Sequence, residues 1–292
     1  QSSEYINKQR REYALYVIQT RAVQNIMDGL RIGARKIIHS AMTGTLKHGK
    51  KEKMPALIGD TMKNEFHHGD ASLKNTIEQL GAKHLFEYAP LDLIGQTGTL
   101  RVPDVNTAAR YLSLKVNDNM KMFKHDLDIL NYNFEDGKYT EPRFFLPIIP
   151  VVLLWRTNSP GFGFSFRSFS HDINDIIDAC LTSVINGSCN TLHYIPIKPK
   201  IYGIKDENII YNESKNSWYN VGEYRIDNIE SDSIVITDLP YNVSYRKYSE
   251  HLMKLKEENY IFDFINMSTK GNIKYVITFA KGRLEKHYSE KW

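Results

Sequence analysis

The feature that most constrains this chain is a series of short helical segments punctuated by glycine in its first hundred residues. Arg35–Met42 carries apolar residues at helical spacing and stops at Gly44. Pro55–Phe66 repeats the pattern, with proline at the start, where its missing N–H is least costly. After His67-His68-Gly69-Asp70 comes a third helical stretch, Ala71–Leu80, for which Asp70 or Ser72 can act as a cap and Gly81 as the stop. Helix, tight glycine-bearing turn, helix is helix-turn-helix grammar. Leu93–Val102, with Gly95 and Gly98 between apolar residues, reads as the short hairpin that a wing requires.

An earlier helix is expected over Tyr5–Asp28, ended by Gly29. Asp126–Thr140 reads as a polar loop, Phe144–Leu154 as a buried apolar segment, Ser159–Ser165 as a glycine-rich loop and Asp172–Val184 as an amphipathic helix. From Ile195 onward the pattern turns to β, with strands expected over Lys198–Tyr202, Ser217–Ile226, Ser233–Ile236 and Lys274–Phe279 and a helix over Ser249–Tyr260. The fold class is therefore α+β, with a domain boundary expected near Glu141, giving units 1–140 and 141–292.

The longest apolar run, Phe144–Trp155, is broken by Pro147 and Pro150 and falls short of the roughly 20 residues of a membrane span. No membrane partner is expected. No secretory signal opens the chain, and its start at Gln1 without Met is what an excised segment of a longer protein would show. Two cysteines cannot build a disulfide framework, which points to a reducing, intracellular compartment. The net charge of +4 permits nucleic acid without arguing for it. Its distribution says more: Arg31, Arg35, Lys36, Lys47, Lys50, Lys51, Lys53 and Lys63 crowd the first quarter.

Several motifs compete as carriers of chemistry. Gly44–Lys51 approaches a phosphate-binding loop, yet it lacks the Ser or Thr that holds Mg²⁺ and has no strand before it, so a solvated basic loop near DNA is the better reading. Cys180, Cys189 and His193 are spaced unlike a zinc site and read as packed thiols. Asp126 and Asp128 have the spacing of a Mg²⁺ pair but lie in a polar surface stretch. His67 and His68 precede a helix start, whose free N–H groups and dipole favour phosphate; packed or surface histidines are the ordinary alternative. Arg110-Tyr111 follows the small residues Ala108 and Ala109, which leave room for a bulky backbone. A tyrosine hydroxyl, with a pKa of about 10, is a weak nucleophile until activated. A neighbouring guanidinium would lower that pKa and hold a phosphate.

Taken in order, these pieces resemble one family. Ile26–Ile37 resembles the DGLKPxxRR/K segment of gyrase A and eukaryotic topoisomerase II; Phe66–Leu73 resembles their YHHGExSL segment; Ile94–Gly98 resembles GQFG; Ala108-Ala-Arg-Tyr111 resembles the AAxRY box; Leu146–Leu154 resembles IPIIPMVL. The resemblance to type IIA DNA topoisomerases covers nearly the whole chain, with wording nearer the eukaryotic and large-DNA-virus enzymes, African swine fever virus-like ones in particular. It departs where the family has Asn-Gly and this chain has Trp155-Arg156.

The resemblance implies a winged-helix domain followed by a mixed α/β tower domain that ends before the coiled-coil gate. It implies Tyr111 as the nucleophile that keeps a 5′-phosphate, and Arg110 and Arg35 offsetting charge on that phosphate. His68 would orient the phosphate, with His67, Lys36 and Lys74 on the DNA backbone and Ile149 as a wedge between base pairs. It implies double-stranded DNA as partner, a homodimer, Mg²⁺ held by a TOPRIM domain and ATP bound by an ATPase domain, both outside this chain, with no metal site of its own and little activity without them. Host cytoplasm, or the nucleus for a eukaryotic source, is the implied location. Two other readings stay open: a catalytically silent DNA-bending protein of the same fold, and a tyrosine recombinase, which would work without a partner metal domain and leave a 3′-phosphotyrosine.

Overall fold

A computed structural model describes the chain except residues 1, 19–21, 65, 67–68, 104, 161–164, 189–197, 227–231, 270 and 285–292. The chain divides into two compact units, 1–98 with 105–202 and 99–104 with 203–292. The mixture of helix and antiparallel sheet is α+β.

The first unit holds α1 (Ser2–Val17), α2 (Ile32–Thr43), β1 (Glu52–Lys53), α3 (Met54–Lys63), α4 (Asp70–Gly81), β2 (Leu91–Ile94) and β3 (Ser113–Val116). α2, α3 and α4 with the antiparallel sheet β1-β3-β2 are the helices and wing of a winged helix. The glycine punctuation has a packing reason as well as a conformational one. A Cβ on Gly81 would meet the Leu93 side chain at 2.4 Å, so glycine lets α4 lie directly on β2. α4 has Gly69 at its cap position, and Asp70 accepts from the Ala71 N–H at 2.9 Å instead of capping from outside the helix.

The wing differs from the expected tight hairpin. β2 pairs with Ser113–Val116, so the connection runs from residue 95 to 112 and carries Tyr111. After it come β4 (Tyr132–Glu135) and β5 (Lys138–Pro142), a hairpin in the stretch expected to be loop, then α5 (Val151–Leu154), β6 (Thr157–Pro160), β7 (Ser165–Ser168) and α6 (Ile173–Asn186). α6 is capped by Asp172, whose side chain accepts from the Asn174 N–H.

One core joins α2, α3, α4 and β3 to Phe145, Val151, Leu154 and Trp155. This places the boundary expected at Glu141 inside the first unit: Glu141 is fully buried and the apolar segment after it packs into the same core. The division falls after Tyr202.

The second unit contains the hairpin β8 (Ile209–Asn212) and β9 (Ser217–Asn220). It also contains a four-stranded antiparallel sheet ordered β10 (Glu223–Arg225), β11 (Ser233–Asp238), β13 (Tyr275–Thr278) and β12 (Asp263–Asn266), with α7 (Tyr245–Glu257). Its core gathers Leu239, Leu252, Ile261, Tyr275 and Ile277. Lys198–Tyr202 forms only an isolated bridge, between Ser170 and Lys200, where a strand is expected. Among the described residues no helix is long and apolar enough to cross a membrane.

Candidate functional site

The 3-10 turn Ala109–Tyr111 closes through Tyr111 N–H to Ala108 O and Leu112 N–H to Ala109 O, each at 3.0 Å. Leu112 and Leu114 then enter the core with no exposed surface. The Leu112 carbonyl accepts from the Met54 N–H at 3.0 Å, at the first residue of α3. The backbone on one side of Tyr111 is thus fixed in the core, while the tyrosine itself is 66% exposed. The Arg110 guanidinium lies over its ring, 5.3 Å from the centroid. A rigid base, an accessible hydroxyl and an adjacent exposed cation suit attack on an anionic substrate.

The basic loop lies beside this turn by strand register. Lys53 of β1 pairs with Ser113, two residues after Tyr111. The loop is tied back by Asp60 of α3, whose Oδ2 accepts from Thr45 N–H at 2.7 Å and Thr45 Oγ1 at 2.8 Å, while Lys47, Lys50 and Lys51 stay exposed.

The other expected site residues fall in three groups. Arg35 and Lys36 are buried. The Arg35 side chain is 4% exposed and grips Asp28, with Nε to Oδ2 at 2.6 Å and a terminal nitrogen to Oδ1 at 3.0 Å. Asp28 also accepts the N–H groups of Leu30 and Phe145. Lys36 is 5% exposed, pairs with Glu141 at 2.8 Å and donates to the Asn64 carbonyl at 2.9 Å. Neither charge faces solvent, where a phosphate would arrive. Both lock the frame: Asp28 ties the start of α2 to the apolar segment, and Lys36 ties α2 to the β4–β5 hairpin. Burial alone would raise the Glu141 pKa, but the Lys36 ammonium, with backbone and Asn133 donors, holds it below the ordinary carboxylate value.

Lys74 and Ile149 are partly buried. Lys74 bonds Glu78 one turn along α4 at 3.0 Å, and Ile149 packs against the core while its neighbour Ile148 is 61% exposed. His67 and His68 lie outside the described residues, as do Cys189 and His193. Cys180 is partly buried against the core. Asp126 takes a left-handed backbone conformation at φ 54° in an exposed turn. Among the described residues no group of three His, Cys, Asp or Glu side chains could share a metal ion.

Two contacts were not anticipated. Gly29, at φ +67°, is so close to α5 that a Cβ there would meet the Val152 nitrogen at 2.8 Å. Arg31 donates to the Asn158 carbonyl and to Ser159 Oγ at 3.0 Å, and burial lowers its pKa. The signal for the first is the Asp-Gly pair itself, an acid and a backbone-permissive residue inside an apolar stretch. Nothing local marks the second.

The family model for the DNA gyrase/topoisomerase IV A subunit matches residues 21–292. The chain belongs to this family. Among curated relatives, it is 27% identical to DNA topoisomerase 2 of Plasmodium falciparum (isolate K1 / Thailand), over 98% of this chain and 20% of that protein. It is 26% identical to the DNA topoisomerase 4 A subunit of Borreliella burgdorferi, over 96% of this chain and 43% of that one. It is 25% identical to the DNA gyrase A subunit of Mycoplasma genitalium, over 91% and 34%. It therefore spans less than half the length of these relatives. The crystal structure of the Plasmodium falciparum topoisomerase II DNA-binding, cleavage and re-ligation domain superposes with a TM-score of 0.85 at 28% identity, covering 98% of this chain and 39% of that one. Fold and relatives alike are those of the cleavage and religation core of type II topoisomerases.

Proposed function

We propose that this gyrase-family chain carries the nucleophile of a type IIA topoisomerase, Tyr111, and cuts and rejoins double-stranded DNA for strand passage. In the forward step the Tyr111 hydroxyl gives up its proton and its oxygen bonds to the phosphorus. The bond from phosphorus to the deoxyribose 3′-oxygen breaks, and that oxygen leaves and is protonated. The 5′-phosphate stays on the tyrosine as an ester, and the reverse reaction restores the backbone without an oxidant or reductant. Arg110 offsets the charge that builds on the non-bridging oxygens. Arg35 acts from the core as a positioning residue through Asp28, in place of the direct phosphate contact expected from the motif. His68 is proposed to orient the phosphate. Lys47, Lys50, Lys51 and Lys53 join Lys74 and His67 as candidates for the DNA backbone, and the Ile148-Ile149 pair is the candidate wedge.

The observation that carries the reading is the exposed Tyr111 on a backbone pinned into the core beside Arg110. The wider assignments rest on the family and on the fraction of the relatives that the chain spans: a homodimer, Mg²⁺ held by a TOPRIM domain, ATP used by an ATPase domain, and a place inside the cell where chromosomal or viral DNA is replicated.

The test is relaxation of supercoiled plasmid, with Mg²⁺ and ATP, by the protein together with its TOPRIM and ATPase domains. Wild type is expected to relax DNA and to become covalently attached to 5′ ends. Tyr111→Phe, which removes one hydroxyl, is expected to bind DNA and do neither. Relaxation by Tyr111→Phe would overturn the assignment. Binding without cleavage by wild type would favour the DNA-bending reading, and Mg²⁺-independent 3′ adducts the recombinase one.

A further inference from the structure

The connection that carries Tyr111 is pinned twice. Its neck closes inside the first unit, where Thr107 Oγ1 donates to the Gln96 carbonyl at 2.7 Å. Its tip, 99–104, belongs to the second unit. The tip is a tight turn, with Thr99 N–H to Val102 O at 2.9 Å and Val102 N–H to Thr99 Oγ1 at 3.1 Å.

Arg101 sits in that turn and is buried. Its guanidinium donates to the Pro240 carbonyl at 2.7 Å, the Val243 carbonyl at 3.2 Å, Asp238 Oδ1 at 2.9 Å and the Leu239 carbonyl. Its own carbonyl accepts from the Tyr245 N–H at 3.0 Å. Those partners form the link between β11 and α7, so one side chain organises the turn that leads into the second unit's helix. A loop that merely closed a wing would have no use for a desolvated guanidinium with a carboxylate and three carbonyls around it. Between neck and tip the chain has only residues 97–98 on one side and 103–106 on the other. From pin to pin the first stretch reaches about 10 Å and the second about 17 Å at full extension. Tip and neck cannot shift independently by more than that slack.

We infer that Arg101 is a positioning residue for DNA cleavage: by holding the tip of this connection in the second unit, it makes the placement of the Tyr111 hydroxyl depend on that unit. The inference rests on the reading of Tyr111 as nucleophile, and it adds a regulatory input to that site. Misplacing a reacting group by about 1 Å can cost on the order of 100-fold in rate, so a released tip should slow cleavage without weakening DNA binding.

The experiment uses the protein with its TOPRIM domain and a linear duplex at saturating concentration. It measures the rate constant and amplitude of Tyr111–DNA adduct formation, and separately the Kd for the duplex, for wild type, Arg101→Ala, Arg101→Lys and Asp238→Asn. Arg101→Ala is expected to lower the rate constant by about tenfold or more with Kd unchanged. Asp238→Asn is expected to fall between it and wild type. Arg101→Lys should restore part of the rate, because it keeps the charge but loses the planar fork. A wild-type rate constant in Arg101→Ala would overturn the inference, and so would a loss of amplitude alone, which is what a purely structural role produces. If Arg101→Ala fails to fold, wild-type rate constants in both milder variants would overturn it. Absence of an adduct in wild type, or its presence in Tyr111→Phe, would instead remove the functional reading and this inference with it.

Discussion

The two units draw on buried ion pairs to different degrees. The first is framed by buried ion pairs, Asp28 with Arg35 and Glu141 with Lys36, whose members lie far apart in sequence or on different elements. The second has one such pair, Arg101 with Asp238, and adds a tyrosine cluster: Tyr275 is fully buried, Tyr248 meets it edge-on at 4.9 Å between ring centroids, and Tyr245 lies 6.3 Å away. Buried ion pairs are demanding in geometry and punish the loss of one partner, so they hold specific backbone groups in place. Aromatic packing tolerates more and holds a surface together. The unit that carries Tyr111 relies on the stricter device at two places.

That comparison can be broken most directly at Asp28. Asp28→Ala leaves the Arg35 guanidinium buried and unpaired and is expected to cost about 3–5 kcal/mol in the first unit, read by chemical denaturation followed through Trp155. A loss below about 1 kcal/mol would mean the pair behaves like a surface one. Gly29→Ala should come next, at about 1–3 kcal/mol, because it forces a side chain into the left-handed region and against the Val152 backbone. An unchanged denaturation midpoint would show that α5 yields there.

The pH response should separate the units further. Glu141 is held below the ordinary carboxylate range, so its pairing contributes stability above its unfolded pKa of about 4.5 that is lost as pH falls through the folded value. The first unit should therefore weaken in acid, and Glu141→Gln should reduce that acid dependence. Tyr248 is pushed up to about 12 by burial and by Tyr275. Its contribution is fully present below about pH 10 and is lost as pH rises toward 12. The second unit should weaken in alkali, and Tyr248→Phe should flatten that response with the smallest effect at neutral pH. Equal acid and alkaline sensitivity in both units, read by hydrogen exchange, would remove the contrast.

Much of the winged helix was legible because its signals are local: glycine and proline set the limits of α2, α3 and α4 to within a few residues. The wing is not legible locally, because Gly95 and Gly98 look like a tight turn whereas the partner strand lies beyond Tyr111. The β4–β5 hairpin was hidden in polar sequence, although Asp136-Gly137, both at positive φ, is a two-residue hairpin signal. The boundary near Glu141 failed because apolar sequence does not say which core it enters. At the site, the Arg110-Tyr111 pair could be picked out in the sequence, but not its exposure. Arg35 and Lys36 looked like part of a basic DNA-facing surface, since only the folded chain brings Asp28 and Glu141 to them. Arg101 was passed over for the same reason, its partners lying more than 130 positions away.

The most direct test of the central claim is to trap the protein on DNA, digest it and identify the peptide that carries the nucleotide. One modified residue is expected, Tyr111, linked through a 5′-phosphate. A nucleotide on any other residue, or a 3′-phosphate link on Tyr111, would contradict it.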